Sequence, residues 1–252
     1  MLCVPDMAHF SAVNRAYAAF FNPRALPGRT CIQTSQEDRI SLHCYVSRGS
    51  QYRRSSMHIQ SLSHWAPASI GPYSQAVALV SDEDSFCFLS GQVAMHPEDL
   101  QLIEAHLEQE CLLGLRHVSR VAWIHASLGW NNLSAMVCYC VDGAHLSRCQ
   151  VTFHSTICCH NGYTIADTHC LCSRVAWVAV RGLPKGAKVE WQPIFSRNRF
   201  LPTTKGTHRD NSIVFATNID SHVASSSRAV IPVDFYLDGD ALLMSGSIGL
   251  DL

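Results

Sequence analysis

The chain has 252 residues, 47% of them apolar and 15% charged, with a formal net charge of −1 and an isoelectric point near 6.9. That is chain enough for one large domain or two ordinary ones, with apolar side chains to fill sizeable cores. The balanced charge offers no electrostatic footing for nucleic acid or an anionic membrane, so no partner of either kind is expected.

The start, MLCVPDMAHF, lacks the basic and apolar regions of a signal peptide. No apolar run approaches the roughly 20 residues that span a bilayer. Twelve cysteines in a chain of this size read as reduced thiols in a cytoplasmic protein, not as a disulfide framework. Asp6 is a candidate N-cap for a helix in which Phe10, Val13, Tyr17, Phe20 and Phe21 recur at helical spacing, closed by Asn22-Pro23. Two strands follow, at 29–33 and 40–46. One helix and one strand pair would leave an apolar face uncovered. Residues 48–63 are polar, basic and without period, as a linker would be.

The next stretch is WAPASIGPYSQA, residues 65–76. Pro67, Gly71 and Pro72 forbid a helix there, because proline fixes φ and lacks an N–H while glycine tolerates strained φ. Tyr73, Ser74 and Gln75 are thus held on a stiff loop just before an apolar strand. Such a loop either presents its tyrosine to a small ligand or simply caps a core with it. Residues 76–80 and 86–90 read as a strand pair around the acidic turn SDEDS. From about 105 to 127 the stripe Leu107, Cys111, Leu115, Val118, Ala122 predicts an amphipathic helix with Gly129 in its C-terminal cap region. Residues 133–141 are apolar on both alternating faces, a covered central strand. Residues 143–173 show only a weak helical stripe. Residues 174–180 and 188–192 read as strands around the turn Gly182–Ala187, and 230–237 and 241–248 as two more around Asp238-Gly239-Asp240. The terminal SGSIG has no following helix to offer N–H groups and is not a phosphate loop.

His154, Cys158, Cys159, His160, His169, Cys170 and Cys172 are the densest set of possible metal ligands. They contain no CxxC pair, and reduced core and loop thiols are the expected reading, with no metal and no cofactor.

IGPYSQA followed by a strand and SGQ resembles the signature of the RidA family of imine and enamine deaminases, once called endoribonuclease L-PSP. The ending R…LPKGAKVEW resembles that family's C-terminus, and DMxxFxAVNxxYxxFF with R-x-C-I resembles the second half of a unit whose first half is missing. The resemblance implies an α+β fold of RidA/chorismate-mutase-like units, each a mixed sheet with two helices on one face. It places a half unit at 1–48, a linker at 49–63, a second unit at 64–196 and an unassigned tail at 197–252. It also implies a RidA trimer-like homo-oligomer, a tendency that an unpaired strand edge on the half unit would reinforce.

For chemistry, the resemblance assigns Glu190 as the base that activates water, Arg174 as the cation for a substrate carboxylate, and Tyr73 as a donor, with Ser90, Gly91, Asn14 and Arg29 binding substrate. A guanidinium offers a carboxylate a two-pronged fork that lysine cannot copy. The interval from Arg174 to LPKGA is one residue long for the family, which leaves Arg181 as an alternative in that role. Ser41 stands where the half unit would keep its own glutamate. Residue by residue, the bland readings are a strand-edge arginine for Arg174 and an exposed strand residue for Glu190.

Two such units in tandem resemble the C-terminal region of the eukaryotic diphthine–ammonia ligases. In that family ATP-dependent amidation on elongation factor 2 is carried by a preceding domain with an SGGKDS loop. No SGGKDS occurs in these 252 residues, so no ATP binding is expected of them. The resemblance therefore implies an accessory region of such a ligase, with elongation factor 2 as an indirect partner. A stand-alone 2-imino acid deaminase and an inactive fragment are the alternatives.

Overall fold

The computed structural model describes residues 1–35, 40–46, 52–82, 84–161, 171–198, 234–238 and 241–247; at 45–46, 158–161, 198 and the last two ranges only the backbone is described. The fold is α+β, with two mixed sheets. Strand β1 (Leu2–Val4) leads through a 3₁₀ turn into α1 (Phe10–Phe20), which returns the chain to β2 (Cys31–Gln33) parallel to β1, and β3 (Ser41–Val46) closes antiparallel on β1's other side. A parallel pair needs such a crossover, because a tight turn can only reverse a strand. Asp6 caps the 3₁₀ turn, its Oδ1 accepting the Ala8 N–H at 2.9 Å.

The second sheet begins with β4 (Arg53–Met57), β5 (Ala76–Val80) and β6 (Asp84–Leu89). The long helix α2 (Leu107–Ala126) follows, then β7 (Leu133–Cys140), α3 (Leu146–Asn161), β8 (Val175–Ala179) and β9 (Val189–Asn198). Its strand order is β4-β5-β6-β9-β7-β8. Within it, β9-β7-β8 repeats the order and directions of β3-β1-β2: an antiparallel pair, then a parallel pair bridged by a helix. No helix among the described residues is long and apolar enough to cross a membrane.

Alternation along the strands assigns the cores. Leu2 and Val4 face Val13 of α1, while Cys3 and Ile32 face the other way, onto Tyr139 of β7 and onto Val93, Met95 and Leu183 from connections of the second sheet. The largest core lies on the far side of that sheet, where Leu115 and Val118 of α2 and Phe153 and Ile157 of α3 cover Met136 and Trp191. The two sheets are also sewn together through the backbone. Gln33 donates its N–H to the Gly182 carbonyl at 2.9 Å and accepts from Arg181 at 3.0 Å, and Ser74 donates to Pro27 at 3.0 Å.

Several expectations change. The stretch expected as an aperiodic linker contains β4, whose Arg53, Arg54 and Ser55 are exposed; an edge strand with a wet face has no apolar alternation to display. Residues 146–161 form α3 despite their weak stripe. The edge of β3, expected to be open, pairs with a tail hairpin, β10 (Asp234–Asp238) and β11 (Ala241–Ser247), giving the first sheet the order β10-β11-β3-β1-β2. The cap of α2 is Ser127, not Gly129: Ser127 lies in the left-handed region at φ 53 and its N–H closes on Ala122 and Trp123. Since glycine occupies that region without a Cβ penalty, Ser127→Gly is expected to raise the unfolding free energy by about 1 kcal/mol, read by urea denaturation.

Candidate functional site

Where the two sheets meet, the stiff loop is pinned by two of its own polar residues. Gln75 accepts the Ile59 N–H at 2.8 Å and donates to the carbonyls of Ile59 (3.2 Å) and Pro67 (3.1 Å). Ser74 Oγ donates to Leu26 at 2.8 Å. The third, Tyr73, is left to face a cavity of about 20 Å³, room for a water-sized molecule, bounded also by Phe10, Arg29, Cys31, Gly91 and Glu190. Its hydroxyl accepts the Ile70 N–H at 3.4 Å, and burial pushes the phenol up to about 12, so it stays a donor at any ordinary pH.

Arg29 enters this cavity from the first sheet. It is 4% exposed, its backbone N–H bonds Ser90 Oγ at 2.8 Å, and Nη2 bonds Asn14 Oδ1 at 2.7 Å. Its guanidinium carbon lies 4.7 Å from the Tyr17 ring centre, 5.5 Å from that of Tyr73 and 5.8 Å from that of Phe10. Rings around a cation supply attraction without consuming its donors, and Nε and Nη1 are buried with no hydrogen-bond partner. Gly71 permits this approach, since a Cβ there would lie 2.9 Å from Nη2.

Glu190 comes from the second sheet, on β9 opposite Tyr139. It is 3% exposed, and its Oε2 is buried with no partner. Burial raises its carboxyl from 4.5 to about 8, with the pull of Arg29 in the other direction the weaker influence. The acid therefore titrates close to neutrality. Glu190 lies across the backbone of Gly91, so close that a Cβ at 91 would be 1.5 Å from Oε1. Two unpaired guanidinium nitrogens and an unpaired carboxyl oxygen at one cavity are unsatisfied polar groups of the kind a polar ligand would complete.

The structure thus brings Tyr73, Glu190, Arg29, Asn14, Ser90 and Gly91 together, and leaves Arg174 out. Tyr139 pairs with both Glu190 and Val178 across β7, so Arg174, four residues before Val178, is displaced by about 13 Å along the strand direction. Its Nη1 bonds the Leu133 carbonyl instead. Arg181 is not at the cavity either; its backbone is spent on Gln33. Ser90 is committed to the Ser74 carbonyl and the Arg29 N–H, so its hydroxyl supports Arg29's backbone. Ser41 is buried beside Cys3. Phe10, Tyr17 and Cys31 were not singled out as site residues, yet Phe10, Asn14 and Tyr17 recur at i, i+4, i+7, one helical face turned toward Arg29. Of the His/Cys set, the side chains of Cys158, Cys159, His160, His169 and Cys170 lie outside the described residues. Among those described, no group of three or more His, Cys, Asp or Glu has the arrangement to hold a metal ion.

No protein-family model matches the chain. Solved structures similar to it are of the RidA/YjgF type: the E. coli YjgF gene product (22% identical, TM-score 0.45, covering 57% of this chain and 100% of that one) and RidA from an Antarctic Psychrobacter (24%, TM-score 0.42, 53% and 94%). Its homologues among curated proteins are diphthine–ammonia ligases. That of Schizosaccharomyces pombe is 31% identical over 193 residues, which are 76% of this chain and 29% of that protein, and that of Saccharomyces cerevisiae is 27% identical over 154 residues, 56% and 22%. The chain therefore spans less than a third of the length of these relatives.

Proposed function

We propose that the chain supplies the RidA-like region of a diphthine–ammonia ligase, the ATP-dependent step being the work of another domain and elongation factor 2 the protein ultimately modified. The observation that carries this reading is the 193-residue similarity to the fission-yeast ligase, which takes in three quarters of the chain. In this role the cavity between Arg29, Tyr73 and Glu190 gives the enzyme a buried polar site with room for a water-sized molecule. Mixing the chain with a separately produced ATP-binding domain of such a ligase, diphthine-bearing elongation factor 2, ammonia and ATP should restore diphthamide formation, scored by mass spectrometry. No gain over the ATP-binding domain alone would sink the proposal.

A second reading, hydrolysis of a 2-imino acid, is favoured by the unpaired groups at the cavity. Arg29 Nε and Nη1 would take the substrate carboxylate, and Glu190, titrating near neutrality, would accept a proton from water as the oxygen adds to the imine carbon. Returning that proton to nitrogen gives a carbinolamine; transfer of the hydroxyl proton to nitrogen, through the same carboxylate, then forms the carbonyl as the C–N bond breaks, leaving a 2-keto acid and ammonia. Under this reading the chain releases ammonia from a freshly generated 2-imino acid, and Glu190→Ala abolishes that release.

A further inference from the structure

On the opposite face of the second sheet from this cavity, four thiols converge. Cys111 comes from α2, Cys138 and Cys140 from one face of β7, and Cys149 from the first turn of α3. All four are free and fully buried. Cys111 donates its S–H to Cys149 Sγ at 3.6 Å, and Cys138 and Cys140 are buried in the same core. Cys149, as the acceptor of the Cys111 S–H, is the hub of the group, while Cys140 gives its own S–H to the Asp142 carbonyl at 3.3 Å.

Two observations define what such a hub can do. The four sulfurs lack the arrangement that would hold a metal ion. The hub also sits at the N-terminal turn of a 16-residue helix, where the dipole favours negative charge, and its sulfur accepts the Cys111 S–H. The Cys149 thiol is accordingly shifted downward, chiefly by its bond from Cys111. Cys111, by contrast, is pushed upward by the same contact and by burial. This is the asymmetry of an attacking thiolate and a resolving thiol.

We propose that Cys149 and Cys111 form a peroxide-responsive dithiol, a modification site that closes to a disulfide tying α2 to α3. The Cys149 thiolate attacks one peroxide oxygen, the O–O bond breaks, and the other oxygen leaves as water after taking a proton, giving a sulfenic acid. Cys111 sulfur then attacks the Cys149 sulfur and expels its oxygen as a second water. Two thiols and one hydrogen peroxide become one disulfide and two waters, two electrons passing from sulfur to oxygen. The sulfurs must close from 3.6 Å to about 2.0 Å. Cys138 and Cys140 cannot bridge each other, because side chains two apart on a strand project in parallel without converging. Val141, Asp142, Gly143 and Ala144, which run from Cys140 toward the start of α3, are all exposed. The proposal does not depend on either reading of the cavity.

The test treats the reduced full chain with one equivalent of hydrogen peroxide in the presence of a chelator, alkylates the remaining thiols, and maps non-reduced peptides by mass spectrometry. The expected result is a dominant Cys111–Cys149 cross-link, a higher unfolding temperature than the reduced chain, and loss of the same cross-link when oxidation is done in denaturant. Cys149→Ser should abolish the cross-link. Cys111→Ser should leave a sulfenic acid at 149, trapped by a dimedone-type reagent, a readout that stands even if Cys149→Ser does not fold. Absence of the cross-link, a mixture no different from that of the denatured chain, or protection of all four thiols by one equivalent of zinc would each overturn the proposal.

Discussion

A single methyl group at position 91 is expected to dismantle the cavity. In Gly91→Ala the new carbon would sit 1.5 Å from Glu190 Oε1, 2.4 Å from its Cδ and 2.9 Å from its Cγ. Neither side can yield cheaply. Glu190 is 3% exposed, and the backbone beside Gly91 is fixed by the reciprocal bonds of Gln92 and Trp191 at 2.9 and 3.0 Å. Overpacking of this kind costs about 3 kcal/mol at the upper end of the ordinary range. Urea denaturation should show that loss, and any ligand of the cavity should no longer bind. Gly143→Ala is the comparison, because its Cβ would meet only Ala179 Cβ at an ordinary 3.6 Å; equal costs at 91 and 143 would refute the crowding argument.

The second large effect is on pH. Glu190, raised to about 8 by burial, keeps a proton in the folded state that the unfolded chain gives up near 4.5. Its contribution to stability is complete below about 4.5 and is lost as pH rises toward 8. His117 acts in the opposite sense. Burial lowers it from 6.5 to about 4, against the bond of its Nε2 to the Met95 carbonyl, so its contribution is complete above 6.5 and lost as pH falls toward 4. Between 4.5 and 6.5 the two slopes oppose each other, and from 6.5 to 8 only Glu190's remains of the pair. Glu190→Gln removes that decline. Its advantage over the natural chain should grow by on the order of 2 kcal/mol between pH 6.5 and 8, at about 1.4 kcal/mol per pH unit. Parallel stability profiles for the two proteins would show that Glu190 is not held in its neutral form.

What the sequence disclosed, and what it withheld, follows from how local each feature is. Proline and glycine fix the loop before Tyr73 by their own backbone restrictions, so that loop was legible without knowledge of its neighbours. The long α2 stripe was legible for the same reason. The choice of arginine was not. Arg29 stands two residues before β2 and Arg174 one before β8, each strand the second of a parallel pair. Only the docking of Gln33 on Arg181 and Gly182 carries Arg29, and not Arg174, to Glu190. Helix α3 hid because its buried apolar residues, Cys149, Phe153 and Ile157, recur every fourth residue among Thr, Ser and His, an apolar stripe only one residue wide. Strand β4 hid because an edge strand with exposed Arg53, Arg54 and Ser55 has the composition of a loop. The tail hairpin had its turn and alternation on display, but its partner, β3, lies almost two hundred residues earlier in the chain.

The cavity's positive wall, Arg29, belongs to the chain before residue 46, and its acidic wall, Glu190, to the chain after residue 52. Occupancy and cohesion are therefore thermodynamically linked: a guest that bridges the guanidinium to the carboxyl also glues the two halves, and their separation must eject it. A protease nick in the connection between β3 and β4 would turn the same protein into a two-piece sensor, whose reassembly reports whatever small molecule the cleft accepts.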